Sequence, residues 1–114
     1  MFRDTDWRTV RLRPVTRETL ERVAAAPLNA KIRYVVLFGS EARGEATLSS
    51  DVDLALVSDE PLTRAERLEF KRLVDGVSYP EFNVTCTRTE WLDTEKVLDV
   101  NYHIRRDGLV IYEG

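Results

Sequence analysis

The sequence is poor in the residues that staple small folds, with one cysteine, Cys86, and one histidine, His103. A single thiol excludes an internal disulfide framework and any cysteine-based zinc site. Cys86 falls in phase with Phe82 and Val84 and reads as a small core residue. His103, next to Tyr102 and without a second His or Cys at ligand spacing, reads as a surface or helix-packing residue. Long apolar runs are missing too. None approaches the roughly 18–20 residues of a membrane span, and the charged N-terminal stretch has no signal-peptide core. The expected address is therefore the cytoplasm, with no membrane partner. There is no internal repeat and no low-complexity tract. A basic excess is also absent: the net charge is −3 and the pI is near 5.2, which argues against non-specific nucleic-acid binding. Five arginines (Arg3, Arg8, Arg11, Arg13, Arg17) crowd the first 17 residues, but Asp4, Asp6 and Glu18 are interleaved. A mixed-charge surface follows from that interleaving.

What remains is an ordinary globular composition. With 114 residues, 43% hydrophobic and 32% charged, the chain fits one domain around a modest core. Residues 1–15 read as an extended N-terminal arm, with Val10 and Leu12 alternating with arginines and Pro14 ending it. Thr16 is the expected N-cap of a helix through Ala26, with Leu20, Val23 and Ala24 on one face and Pro27 as its stop. The unbroken apolar run at 33–38 predicts a central strand. A second strand is expected from Asp51 to Val57. There Val52, Leu54 and Leu56 share one face, and Asp51, Asp53, Ala55 and Val57 share the other. Thr63 and Glu66 form a capping box ahead of Phe70, Leu73, Val74 and Val77, with Gly76 as a stop signal. A third strand is expected at about 81–86 and a last helix at 94–106 with Val97, Val100, Asn101 and Ile104 on one face. Leu109–Tyr112 is a closing strand or a docked tail. This alternation predicts an α/β fold: a small mixed β-sheet with helices packed on it.

The chemistry concentrates at residues 38–54. The first apolar run stops at Gly39-Ser40, a short helical turn follows to Gly44, and Ser50-Asp51-Val52-Asp53 opens the next strand. Asp51 and Asp53 project from one strand face, where like charges raise each other's pKa unless a cation lies between them. Hard oxygen ligands at that spacing suit Mg²⁺ or Mn²⁺, with a nucleoside triphosphate completing the shell. Gly39 allows a phosphate close to the main chain, and Ser40 offers a hydroxyl.

The string Gly39-Ser40-x-Ala42-Arg43-Gly44, then Ser50-Asp51-x-Asp53, resembles the minimal nucleotidyltransferase (MNT) domains of the DNA polymerase β-like superfamily. The resemblance spans roughly residues 16–112 and implies a single-domain nucleotidyltransferase palm over residues 16–114. It implies nucleotidyl transfer, most simply AMP from ATP to a hydroxyl. Asp51 and Asp53 would be the catalytic and metal-holding pair, and Gly39, Ser40, Arg43 and Ser50 the nucleotide-binding residues. It further implies an antitoxin role beside a HEPN-type toxin, whose tyrosine hydroxyl would be the acceptor. A homo-oligomer is a second possible assembly. One position departs from the pattern. The family's third carboxylate is expected on the strand at Phe82-Asn83-Val84, and the residue there is Asn83. An amide can ligate a metal but cannot take a proton. Glu81, two residues earlier, is either a substitute third ligand or a solvated turn residue. An alternative class thus stands beside the enzyme: a catalytically impaired palm that neutralises its partner by binding.

Overall fold

Val35, Val36 and Leu37 have no exposed surface, because the strand they form, β1 (Ile32–Phe38), is flanked on both edges and covered on both faces. The computed structural model describes residues 2–76 and 79–114; Val77, expected on a helix face, lies outside them. Helix α1 (Pro14–Ala25) precedes β1, and a single helical turn α2 (Gly39–Ala42) follows it. Then come β2 (Val52–Ser58), α3 (Arg64–Val74), β3 (Phe82–Arg88), α4 (Val100–Asp107) and β4 (Leu109–Glu113). The described strands form one mixed sheet in the order β3-β2-β1-β4. β1 runs antiparallel to both neighbours, while β2 and β3 are parallel, joined through α3. The expected α/β architecture is therefore present.

Alternation along the strands divides the core in two. Val35, Leu37, Val52, Leu54, Leu56, Leu109 and Ile111 pack with Leu20 and Val23 of α1 and Phe70 and Val74 of α3. On the other face Val36, Phe38, Ala55 and Val57 form a smaller cluster with Ile104 of α4 and Leu92, against which Phe2 and Tyr34 pack. Full burial of a leucine or valine stabilises by about 1.5–3 kcal/mol, so the first face carries most of the fold's apolar stabilisation. The α3 capping box is present as expected. Thr63 Oγ1 accepts from the Glu66 amide at 3.2 Å, and Glu66 accepts in return from the Thr63 amide at 2.8 Å. Among the described residues no helix is long and apolar enough to cross a membrane.

Three local expectations change. α1 starts at Pro14, not after Thr16: proline at the first helical position loses only an N–H that has no intrahelical partner. Thr16 is buried inside the helix. α4 starts at Val100 because Asp99 caps it, accepting from the Asn101 amide at 2.9 Å. The 94–99 stretch is not helical, and Val97 and Leu98 face solvent. Cys86 is exposed, not core. Its phase matches the buried Phe82, but β3 is an edge strand, and beside Cys86 lies a surface pocket lined by Arg67, Arg88 and Trp91 in place of a packed core.

The arm lies along the domain. Trp7 is buried in the larger core cluster. It is tied down by arginines: its own Arg3 Nη1 donates to the Ala42 carbonyl at 2.8 Å, and Arg17 of α1 donates to the arm's Arg8 and Val10 carbonyls, each at 2.9 Å.

Candidate active site

The open part of the second face is where the acidic residues stand. Register sets Asp53 opposite Phe38 of β1 on one side and beside Asn83 of β3 on the other. Asp51 lies one residue ahead of β2, and the Asn83 side-chain amide donates to its Oδ2 at 3.3 Å. The turn after β1 closes over this group. Gly39 has φ +77°, and a Cβ there would overlap the Asp53 carboxylate. Glycine is thus required twice, for the left-handed backbone and for the close approach.

The Asp53 carboxyl is pushed above the usual carboxylate range, mainly by burial, and further by the Asp51 charge. The Asn83 amide and the Arg43 charge pull it back. A half-desolvated acid beside a second acid is a site that gains from a cation. Arg43 caps α2, with Nη1 on Asp107 Oδ2 at 3.0 Å and Nε on Glu45 Oε2 at 3.2 Å. Both partners raise its pKa, Glu45 first. Ser40 sits on the turn next to Gly39 and is half-buried. Ser50 is placed at the entry to β2, but its hydroxyl accepts from the Thr47 amide at 2.9 Å and so closes the loop. Glu81 contributes a carbonyl to the Val52 amide at 2.8 Å while its side chain is exposed. Among the described residues no three His, Cys, Asp or Glu side chains gather as a metal cluster, so Glu81 does not complete the Asp51–Asp53 pair as placed.

Residues 21–114 match the family model described as polymerase beta, nucleotidyltransferase. The chain belongs to that nucleotidyltransferase family. Its fold is also similar to a solved structure from Sulfolobus solfataricus described as a candidate nucleotidyltransferase. That match has a TM-score of 0.51 and 20% identity, and covers 87% of this chain and 78% of the other. No curated protein matches the chain.

For a nucleotidyltransferase domain, two supporting groups stand out that the motif did not mark. Glu41, 1% exposed, pairs with Arg13 Nε at 3.2 Å, and Arg13 Nη1 reaches the Thr47 carbonyl at 3.0 Å. This buried pair ties the arm to the loop between Gly-Ser and Asp-x-Asp. Asp107, at the end of α4, holds Arg43 from 64 residues away. Its one sequence signal was its position, since an acid at a helix C-terminus opposes the helix dipole and needs cations beside it.

Proposed function

We propose that this domain transfers a nucleotidyl group, AMP from ATP, to a hydroxyl, and that it does so with one Mg²⁺ or Mn²⁺ held by Asp51 and Asp53. The observation that carries the reading is the contact of Gly39 with Asp53, which brings the Gly39-Ser40 turn and the acid pair to one point of the sheet. Two carboxylates beside an amide form a hard-oxygen donor set that fits one divalent cation. A bound cation supplies Lewis acidity and charge neutralisation at the phosphoryl oxygens. The chain's own part is positional. Gly39 lets the turn close onto Asp53, Ser40 offers a hydroxyl to the triphosphate, and Arg43 adds positive charge. The acceptor oxygen bonds to the α-phosphorus as the bond to the leaving diphosphate breaks, and the acceptor's proton is released. Asn83 cannot take that proton.

The acceptor we propose is a tyrosine hydroxyl on a HEPN-type toxin, with this chain as its antitoxin. Asp51 and Asn83 are exposed beside the half-buried Asp53, which leaves a large acceptor access to the acid pair. Asn83 favours a second reading, a palm that neutralises its partner by binding alone. Co-expression with the product of the neighbouring gene, followed by size exclusion and intact mass, separates the two. A partner heavier by one or more AMP units supports transfer. A stable complex of unchanged mass supports the binding module, and no complex removes the antitoxin role. Asn83→Asp should raise turnover more than ATP affinity, because the residue bears on the cation rather than on the nucleotide.

A further inference from the structure

Arg43 is a long, flexible side chain on a one-turn helix, and an unrestrained arginine there would lose substantial rotamer freedom on binding a phosphate. It is restrained. Asp107 Oδ2 accepts from Arg43 Nη1 at 3.0 Å, while Arg106 donates to both Asp107 oxygens at 2.9 and 3.1 Å. The Asp107 side chain is only 8% exposed. Its backbone is fixed by its neighbour: a Cβ on Gly108 would collide with the Ile104 carbonyl and with Val36 of β1. Asp107 is thus anchored to the central strand. Two guanidiniums share its one buried carboxylate, so Asp107 does not by itself neutralise Arg43. Glu45, on Arg43 Nε, is 66% exposed and its pairing is weakened by solvent. Among the described residues Arg43 Nη2 has no hydrogen-bond partner. Arg43 directly follows the α2 turn whose first residue, Gly39, packs on the Asp53 carboxylate, so the guanidinium is carried on the turn that borders the acid pair.

We propose that Asp107 is a positioning residue for the nucleotide site: it presets Arg43 so that the unused guanidinium edge meets the triphosphate. Arg106 neutralises Asp107 and keeps Arg43's charge available to the ligand. The inference rests on the nucleotide-binding reading above.

A double-mutant cycle in the full chain tests it, with calorimetry against Mg²⁺–ATP and against Mg²⁺–tripolyphosphate. Arg43→Gln should weaken both ligands about thirtyfold, as for loss of a charge-assisted hydrogen bond. Asp107→Asn should weaken both about fivefold. Adding Asp107→Asn to Arg43→Gln should cost nothing more, because the arginine it positions is gone. If Asp107→Asn melts the domain, Asp107→Glu replaces it in the cycle, since it keeps the charge but shifts the fork. Losses that add in the double variant, or an Asp107 variant that binds like wild type, would overturn the positioning role alone. Absence of any Mg²⁺–ATP binding by the wild type would overturn the nucleotide reading and this inference with it.

Discussion

The two faces of β2 are made by alternate residues of one seven-residue strand, yet they do different work. Val52, Leu54 and Leu56 point into the cluster built with α1 and α3, and all three have no exposed surface. Asp53 points the other way, beside Asn83 and under Gly39, ahead of Ala55 and Val57, which are covered from α4. A period of two lets one strand hold the fold with one face and carry a desolvated acid on the other. The lesson is that the well-covered face makes the exposed chemistry of the opposite face affordable.

Substituting across that divide should give opposite results. Leu54→Ala should cost about 3 kcal/mol of unfolding free energy by urea denaturation, through lost transfer energy and a cavity. Asp53→Asn should cost under about 1 kcal/mol, or stabilise, because it removes a carboxylate that burial disfavours. Equal losses from the two would make Asp53 a structural residue and collapse the contrast.

Gly39→Ala sharpens the same boundary from the turn. The left-handed backbone should cost about 1–2 kcal/mol, and the added methyl must displace the Asp53 carboxylate. Nucleotide binding should therefore fall along with stability. A variant that loses stability but keeps full nucleotide affinity would show that the turn and the acid are not coupled.

The smallest effect belongs to the first face. Glu66 is held at a pKa of about 2, first by the Thr63 amide and then by Lys31. Its folded pKa lies below its unfolded value, so its contribution is full above about pH 4.5 and is lost as pH falls toward 2. Glu66→Gln should flatten the acid limb of the stability profile in that window and leave the neutral region with a small, even loss. An unchanged acid limb would remove Glu66 from the account.

Much of this was legible in the sequence, for local reasons. The 33–38 run, the Asp51–Val57 alternation and the Thr63–Glu66 box each rest on periodicity or capping within a few residues, and each has its counterpart in the structure. The motif joins the end of one strand to the start of the next, while the direct Gly39–Asp53 contact is read from the structure alone. What escaped depends on contacts distant in sequence. Nothing local shows that β3 is the edge of the sheet, so the phase of Cys86 reads as core although the thiol is exposed. Val97 and Val100 have helical spacing with Ile104, but Asp99 caps the helix first. The Arg43–Asp107 pair spans 64 residues and has no periodic signature. Glu41 reads as a charged turn residue until Arg13 of the arm is seen against it.

The central claim is that the acid pair on the open face holds a cation-bound nucleotide, and calorimetry of ATP with and without Mg²⁺ tests it most directly. The wild type should bind ATP only with Mg²⁺ present, and Asp51→Asn and Asp53→Asn should each weaken that binding sharply while remaining folded. Equal ATP affinity in the wild type and both variants would contradict the account.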